Sequence, residues 1–504
     1  MRSRWVTNGV AVAVAAGLAA FFAPAAGARP AAVSPAPSAG FTNFELGATP
    51  PDPAGTVCPT DVVSTACTNH AAEPQIRADN AGNFYASSEN GLGGGTDAWK
   101  SATGGRSYAT IPCPNCLSSS NSTGFAPGGG DTDDAVAPVK NAAGNYNVYV
   151  SSLSLADVDV STSTDGGKSF TLNPTGAKVP GDDRPWIAAD GSSKVCVSYH
   201  DVATSNIEVD CSADAGTTFT QHSVPGAIDA SHAYLINNNE IGNLAIDPAS
   251  HIVYQIFSGI ASSGEVACSQ EGTCGYHAVW IGVSTDGGQT FTDYPIYVNP
   301  DPAVSYGHQF VQVSIDRAGN LYAVYSDNHN LFYSFSTDQG HTWSKPVQVN
   351  HSPSATAIMP WSVAGDAGKL DVVWYGTSYY KSGTVPDNYP SPAAWHVYYA
   401  QNLTATTAGS KFSQVAASPV NHYGGTCEAG VTCSGNRDLY DDFGIAASPV
   451  TGLASIVYSD DQYSSTAATP AQSGCTAAQS NTSSCDHTEI ATQTSGAGVY
   501  TPSG

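Results

Sequence analysis

The stretch Ser284-Thr-Asp-Gly-Gly-Gln-Thr-Phe291 decides the fold, because altered copies of it recur along the chain. In such a box the Ser and Asp side chains can accept hydrogen bonds from backbone N–H groups across a turn, and Gly takes the positive φ that strains other residues. The Thr or Ser and the aromatic ring that follow begin a strand. Three more good copies and two weaker ones begin at Ser163, Ser212, Ser336, Ser101 and Ala405.

A second repeat precedes the boxes. It consists of an apolar run, a turn of Gly, Asn or Asp, and another run rich in Val, Tyr and Ile, which predicts a β-hairpin of two buried strands. Seven copies begin at Ile76, Val136, Trp186, Leu244, Val311, Trp361 and Ile445. One unit therefore comprises a hairpin, a third strand, the boxed turn and a fourth strand. A four-stranded unit repeated in this way predicts a β-propeller.

The boxed turn resembles the Asp box, S-x-D-x-G-x-T-W, of the sialidase-like (BNR-repeat) β-propeller superfamily. The resemblance implies an all-β fold of four-stranded blades, with the Asp-box turns between the third and fourth strands and away from the channel mouth. Sialidases have six blades, but the seven hairpins favour seven, with six as the alternative. The last unit lacks a recognisable box, and residues 41–46 are a candidate for its closing strand.

Three segments follow one another along the chain. Residues 1–28 carry Arg2 and Arg4 ahead of an apolar run that ends in Ala26-Gly-Ala28, which is the pattern of a secretory signal peptide. Residues 29–45 are predicted to form a flexible leader rich in Pro, Ala and Ser, and residues 46–504 the propeller. No later segment reaches the ~18–20 apolar residues of a membrane span. We therefore expect a secreted, extracellular protein without membrane insertion.

The charge and the cysteines fit an extracellular chain. A net charge of −25 with only 17 Lys and Arg repels DNA, RNA and anionic membranes, so a nucleic-acid partner is excluded. An even number of cysteines favours disulfides. Sequence proximity pairs Cys58 with Cys67, Cys113 with Cys116, Cys196 with Cys211, Cys268 with Cys274, Cys427 with Cys433 and Cys475 with Cys485. The CPNC pair is also open to a redox or metal-binding role, although a structural bridge is favoured.

The chemistry is expected at one mouth of the central channel, where the first strand of every blade begins. The segment Tyr440-Asp-Asp-Phe resembles the sialidase segment around the catalytic Tyr, and Glu240 stands where the resemblance places its Glu partner. Carboxylates crowded at the mouth are candidates for general acid and base. The candidate catalytic residues are Tyr440, Glu240, Asp134, Asp183 and Asp442, and the candidate substrate-binding residues are Arg77, Arg184, Arg437, His308, Trp186 and Trp361.

Several of these residues also have a structural explanation. Tyr440 is in a position to pack at a strand start, Glu240 to accept backbone hydrogen bonds, and Arg184 to pair with a neighbouring Asp. Asp131 and Asp133, after the Gly-rich residues 128–130, offer hard oxygen ligands, so Ca²⁺ binding is a further hypothesis. We expect no other cofactor to be required.

The residues leave three functions open. The first is a secreted sialidase-like glycoside hydrolase for acidic glycans, with Arg184 and Arg437 holding the acidic group of the sugar. The second is a non-catalytic propeller that binds extracellular glycans or proteins. The third is a polysaccharide lyase, in which Tyr306, His308 or Tyr440 acts as base. In each case we expect a monomer whose partner is an extracellular glycan or glycoconjugate.

Overall fold

The computed structural model describes residues 38–47, 72–91, 94–116, 128–154, 157–177, 181–221, 226–308, 310–430, 433, 435–463, 475–483 and 485–502. The predicted signal peptide, residues 29–37 of the leader, and the predicted pair Cys58 and Cys67 lie outside the described residues. The described chain folds into seven antiparallel sheets of at least four strands each. The prediction of a seven-bladed β-propeller is therefore confirmed, and the six-bladed alternative is wrong.

The strands run along the chain as follows. The first strand, β1 (Gly40–Glu45), belongs to the last blade. Blade 1 contains β2 (Ala72–Ala78), β3 (Phe84–Glu89), β4 (Thr96–Ser101) and β5 (Ala109–Thr110). Blade 2 contains β6 (Thr132–Val136), β7 (Val148–Leu153), β8 (Val158–Ser163) and β9 (Thr171–Asn173). Blade 3 contains β10 (Asp182–Asp190), β11 (Lys194–Asp201), β12 (Asn206–Ser212) and β13 (Thr220–Gln221).

The remaining blades follow the same order. Blade 4 contains β14 (Asn239–Ile246), β15 (Val253–Gly259), β16 (Ala278–Ser284) and β17 (Thr292–Val298). Blade 5 contains β18 (Gln312–Ile315), β19 (Leu321–Ser326), β20 (Leu331–Ser336) and β21 (Val347–Gln348). Blade 6 contains β22 (Thr356–Ala364), β23 (Leu370–Thr377), β24 (Ala394–Asn402), β25 (Ser413–Ala416) and β26 (His422–Tyr423). Blade 7 contains β27 (Gly444–Ala447), β28 (Ala454–Asp460) and β29 (His487–Ser495) beside β1. The short helices of the described residues are α1 (Val266–Gln270) and 3₁₀ turns at Ala230–Leu235, Ser263–Glu265 and Pro386–Asn388.

The innermost strands of the seven blades close a ring around the channel. Contacts join β2 to β6, β6 to β10, β10 to β14, β14 to β18, β18 to β22, β22 to β27, and β27 back to β2. Apolar side chains fill the space between adjacent blades: Tyr149 and Val158 of blade 2, for example, belong to one core cluster with Val195 and Val197 of blade 3. Each blade thus buries against its neighbours the faces that it cannot cover alone.

The N-terminal strand closes the ring. Strand β1 pairs antiparallel with β29, so the last blade combines one strand from the start of the fold with three from its end. Its Asn43 side chain accepts a hydrogen bond from the Tyr458 hydroxyl at 2.9 Å and donates one to the Ala417 carbonyl of blade 6 at 2.9 Å. The closing strand predicted at residues 41–46 is present, and the propeller therefore includes part of the range 29–45 that was predicted as leader.

The boxed turns connect third and fourth strands. In the box that opens with Ser284, the Ser hydroxyl donates to Asp286 at 2.8 Å and accepts from the Gly288 amide at 2.9 Å. The Asp286 carboxylate accepts from the amide and the hydroxyl of Thr290 at 3.0 and 2.6 Å. The same bonds recur in the boxes that open with Ser163, Ser212 and Ser336. The box is therefore a self-contained turn whose polar groups satisfy one another.

The two weaker copies differ where a box side chain is missing. In blade 1 the Thr103 hydroxyl replaces the Asp carboxylate and accepts from the Ser107 amide at 2.9 Å. In blade 6 the residue at the Ser position is Ala405, which has no side-chain acceptor. There the turn is held instead by Asn402, whose side chain accepts from the Thr404 amide at 3.0 Å.

The disulfides of the described residues follow the predicted pairing. Bridges join Cys113 with Cys116, Cys196 with Cys211, Cys268 with Cys274, Cys427 with Cys433 and Cys475 with Cys485. The bridge of Cys196 and Cys211 joins residues directly opposite each other on β11 and β12. Within the described part of the chain, the helices are too short and too polar for any of them to cross a membrane.

Candidate active site at the channel mouth

Three innermost strands begin with the same backbone irregularity. Glu73 of β2, Arg184 of β10 and Met359 of β22 have φ values of 49°, 55° and 52°. Each of them precedes a proline, and the register of the first hairpin shifts there as in a β-bulge. A positive φ costs such residues ~1–3 kcal/mol and persists only where the surroundings hold it, and a bulge re-aims a side chain. In blades 1 and 3 it brings Glu73 and Arg184 together across the mouth.

The Arg184 guanidinium is the centre of the mouth and contacts four carboxylates from blades 1, 2 and 7. The contacts are Nη2 to Glu73 Oε1 at 3.3 Å, Nη2 to Asp441 Oδ2, Nε to Asp131 Oδ2 at 3.3 Å, and Nη1 to Asp442 Oδ1 at 3.6 Å. The side chain is only 9% exposed. Burial alone would lower the pKa of Arg184, but Asp131 and the other carboxylates raise it well above its ordinary value. Arg184 therefore stays charged.

A second arginine shares two of these carboxylates. Arg437 Nη2 lies 3.1 Å from Glu73 Oε1 and 3.1 Å from Asp441 Oδ2. Its side chain is 27% exposed, and its guanidinium carbon lies 5.2 Å from the centre of the Tyr440 ring. The two guanidiniums together face the carboxyl groups of Glu73, Asp131, Asp441 and Asp442. Burial raises the pKa of Glu73 well above its ordinary value.

Glu89 and Asp131 are half-buried acids of this mouth with opposite tendencies. Oxygen atoms of Glu73, Glu89 and Asp131 lie within 4.8 Å of one another. Burial, and then the charge of Asp131, raise the pKa of Glu89 to about 8. Burial opposes ionisation of Asp131 as well, but Arg184 and a hydrogen bond from Glu73 hold its pKa below the ordinary value. At neutral pH Glu89 keeps its proton and Asp131 is ionised.

A cleft of about 350 Å³ opens between these groups. Its charged lining residues are Glu89, Asp131, Asp183, Arg184, Arg437 and Asp441. Burial, and then the charge of Asp131, raise the pKa of Asp183. The volume falls in the range of ~300–1,000 Å³ typical of small-molecule sites. The predicted residues Asp131, Asp183, Arg184 and Arg437 are therefore brought together in one cleft.

An aromatic layer lies directly below Arg184. The Trp186 ring centre is 5.3 Å from those of Phe310 and Trp361, and the Arg184 guanidinium carbon lies 4.4 Å from the Phe310 ring. Trp186 is 2% exposed and Trp361 4%. These two predicted substrate-binding residues thus form a buried aromatic floor below Arg184 and are not among the residues that line the cleft.

Arg77 and Asp133 lie on the far side of this layer. Arg77 Nη2 is 2.6 Å from Asp133 Oδ1, and its guanidinium carbon is 5.3 Å from the Trp361 ring. Asp133 Oδ2 accepts from the Ile187 amide at 3.0 Å. Asp131 and Asp133, the residues of the Ca²⁺ hypothesis, thus contact different arginines. Among the described residues of the mouth, the carboxyl oxygens close enough to share a cation are those of Glu73, Glu89 and Asp131.

Tyr440 stands beside the cleft. Its hydroxyl donates to Asp486 Oδ2 at 3.2 Å, and both residues line a neighbouring cleft of about 710 Å³. The two clefts share Gly430 and Arg437. Burial, and then the charge of Asp486, raise the pKa of Tyr440 above its ordinary value, so the hydroxyl keeps its proton at neutral pH.

Glu240 and Asp442 lie within electrostatic reach of Arg184. Burial raises the pKa of Glu240 to about 7, although Arg184 opposes the shift. Burial also raises the pKa of Asp442 to about 7 against the effect of Arg184, and Asp442 Oδ2 accepts from Gln75 at 2.7 Å. Glu240 packs against Gly307 of the next blade.

Three further predicted residues lie elsewhere. Asp134 is buried between blades 1 and 2, where Ser87 contacts it. His308 is exposed, and the charges of Asp327 and Asp387 lie near it. Tyr306 is buried, accepts a hydrogen bond from Asn299 at 2.9 Å and packs against Tyr325.

Glu89 was absent from the sequence prediction, and Glu73, which heads a first strand at the mouth, was not among the candidate catalytic or binding residues. Glu89 ends a second strand, whereas the prediction considered the heads of first strands. Glu73 had a signal in the sequence: Glu73-Pro-Gln, Arg184-Pro-Trp and Met359-Pro-Trp form a repeat at the head of three units. That repeat marks the bulges that aim side chains into the mouth.

Known proteins resemble this chain in fold. No protein-family model and no curated protein matches the sequence. An alpha-L-arabinofuranosidase of Fusarium graminearum has 11% identity and a TM-score of 0.45, covering 90% of this chain and 97% of its own. An alpha-L-arabinanase of Penicillium chrysogenum has 10% sequence identity and a TM-score of 0.43, and the match covers 90% of this chain and 98% of the arabinanase. A GH74 xyloglucanase of Xanthomonas campestris has 12% sequence identity and a TM-score of 0.46, and the match covers 83% of this chain and 52% of the xyloglucanase. At these identities the similarity concerns the chain fold alone.

Proposed function

We propose that the protein is a glycoside hydrolase that acts on a neutral glycan at the channel mouth. The observation that carries the proposal is the pair Glu89 and Asp131, whose pKa values are displaced in opposite directions within one cleft. Cleavage of a glycosidic bond uses a protonated carboxyl as acid beside an ionised carboxylate. In this pair Glu89 protonates the leaving oxygen, and Asp131 faces the anomeric carbon.

The spacing of the pair favours a retaining reaction. Carboxyl groups lie ~5–5.5 Å apart in retaining enzymes and ~6.5–9.5 Å apart in inverting ones. One carboxyl oxygen of Glu89 lies within 4.8 Å of one of Asp131, which is nearer to the retaining than to the inverting spacing. Asp131 therefore acts as nucleophile, and Glu89, after giving up its proton, activates the water that releases the product.

The charge balance of the mouth favours a neutral substrate over the acidic glycan expected from the sequence. Arg184 and Arg437 contact the carboxylates of Glu73, Asp131, Asp441 and Asp442. Arg184 is enclosed by these acids, and only the exposed edge of Arg437 stays open, beside Asp183 and Asp441, so the carboxylate of a sialic or uronic acid would meet acidic side chains there. Asp183, Asp441 and the exposed edge of Arg437 are instead suited to hydrogen-bond sugar hydroxyls.

The test is hydrolysis of a panel of aryl glycosides and polysaccharides, neutral and acidic, measured by released chromophore and reducing ends. We expect activity on a neutral member and a loss of ~10²–10⁴-fold in kcat for Glu89→Gln and Asp131→Asn. The exposed Glu271 next to α1 supplies the matched control, and Glu271→Gln should retain full activity. Full activity of Glu89→Gln, or a preference for acidic glycans, would contradict the proposal.

Non-catalytic glycan binding is the second candidate. It is favoured by the same ion-pair network, since buried networks of this kind also serve stability alone and displace pKa values without catalysis. Retention on a neutral glycan without turnover, and without an effect of Glu89→Gln on retention, would select this candidate.

A further inference from the structure

An exposed aromatic ring stands on the mouth face of the propeller. Tyr380 and Tyr423, 48% and 40% exposed, are the two aromatic residues among the exposed large apolar side chains of the described chain. Tyr380 lies in the loop that leaves β23, a second strand. Second strands end at the face where first strands begin, so this loop belongs to the face that carries the cleft.

The Tyr380 ring is held in place by a neighbouring blade. It stacks on His329, which lies between β19 and β20 of blade 5, with ring centres 3.9 Å apart and planes inclined by 16°. The His329 amide donates to Asp327 at 3.0 Å, which fixes the loop below the stack. One face of Tyr380 is therefore covered and the ring is ordered before any ligand arrives, which lowers the entropic cost of binding.

The stacked pair is connected to the wall of the cleft. Asn328, the residue before His329, donates to Glu428 at 2.6 Å. The next two residues along the chain, Ala429 and Gly430, line the cleft that contains Glu89 and Asp131. The stacked pair and the wall of the cleft are therefore linked through the hydrogen bond between Asn328 and Glu428.

The surrounding charges select the ligand. Aromatic faces bind nucleobases as well as sugars, but Asp327 accepts from the His329 amide and Glu428 from the neighbouring Asn328, so two acids stand beside the stack. Lys381 follows Tyr380 in the sequence. The protein carries a net charge of −25. An anionic nucleic acid or acidic glycan would be repelled, whereas the C–H face of a neutral sugar packs on a ring without a charge requirement.

We infer that Tyr380 and His329 form a sugar-stacking subsite beyond the cleft, so that the ligand is a neutral polysaccharide longer than the cleft itself. The subsite deepens the proposed hydrolase function and rests on it for the direction of the chain. It also sets a size requirement: a short aryl glycoside fills the cleft without touching Tyr380.

The test is native gel electrophoresis in gels cast with arabinan, xylan, mannan or xyloglucan, with the Kd taken from retardation against polysaccharide concentration. We expect Tyr380→Ala to weaken binding by about 2- to 12-fold, the loss of one aromatic stacking contact. Tyr380→Phe keeps the ring face and should bind like the wild type. Tyr423→Ala removes the other exposed tyrosine and is the matched control. Equal retardation of wild type and Tyr380→Ala, or no retardation of the wild type in any gel, would overturn the inference.

The two proposals fail in different ways. If Glu89→Gln abolishes hydrolysis and Tyr380→Ala binds normally, the subsite is wrong and the hydrolase stands. If nothing is hydrolysed but Tyr380→Ala loses retardation, the hydrolase is wrong and the subsite stands. In an active enzyme Tyr380→Ala should raise KM for the polymer while leaving kcat/KM for the aryl glycoside unchanged, and equal effects on both substrates would contradict the subsite.

Discussion

Replacement of Arg184 by Met removes the guanidinium from the most charged point of the mouth. Glu73 and Asp441 still contact Arg437, which lies 3.1 Å from each, and Asp442 still accepts the hydrogen bond from Gln75. Removing one partner of a buried ion pair typically costs ~3–5 kcal/mol, because charges stay buried without compensation. For a fold of this size the unfolding entropy of ~2.1 cal/mol/K per residue amounts to ~0.9 kcal/mol/K, so the melting temperature should fall by ~3–6 °C.

The pH dependence identifies the cause of that loss. Arg184 lowers the pKa of Asp131 and opposes the rise in the pKa of Asp442, so without it both pKa values should rise. The two groups then accept protons in mild acid, and the penalty disappears. Calorimetry at pH 8 and pH 5 should therefore show a large deficit at the higher pH and a small one at the lower.

A surface arginine supplies the control. Arg317 is 52% exposed and lies 2.9 Å from Asp366, a pair worth ~0–1 kcal/mol, so Arg317→Met should change the melting temperature little at either pH. A melting temperature of Arg184→Met equal to that of the wild type at pH 8, or an equal fall at both pH values, would refute the reasoning.

Three further predictions concern stability. Burial raises the pKa of Asp97 to about 7, so the folded state keeps a proton that the unfolded state releases at ~pH 4, and stability falls as pH rises between these values. Asp97→Asn should therefore have a higher melting temperature than the wild type at pH 8 and the same one at pH 4, and parallel pH profiles of the two proteins would contradict this. Removing the bridge of Cys196 and Cys211, which are 15 residues apart, should cost ~3 kcal/mol in denaturant unfolding, and an unchanged midpoint would show that the bridge adds nothing. Asp286→Ala leaves four turn donors without their acceptor and should cost ~1–2 kcal/mol, whereas the kinetics on any substrate should not change because the box is remote from the mouth.

Depth along the first strands explains which predicted residues meet. The sequence predicted Arg77, Trp186 and Trp361 at the mouth with Arg184. A strand rises ~3.3 Å per residue, so a residue two positions after a strand head lies ~7 Å down the channel and one four positions after it lies ~13 Å down. Trp186, two after Arg184, is accordingly in the aromatic floor, and Arg77, four after Glu73, lies beyond it.

The sequence alone determined the propeller, its seven blades and the pairing of the described disulfides. It could do so because each of these features depends on a local pattern. The boxed turn satisfies its own hydrogen bonds, each hairpin consists of two apolar runs joined by a short turn, and the cysteine partners lie 3 to 15 residues apart. The closing strand was also within reach, because the last unit lacked a recognisable box and residues 41–46 offered a short segment with three apolar side chains among polar ones.

Only the tertiary structure decided the chemistry of the mouth. Glu89, Asp131 and Arg184 come from blades 1, 2 and 3, and the pKa of each depends on burial and on charges that the ring closure brings near. Long-range electrostatics of this kind leaves no pattern in the local sequence. The boxes could be identified from eight residues, whereas the acid and the ionised carboxylate of the cleft exist only once seven blades have closed around them.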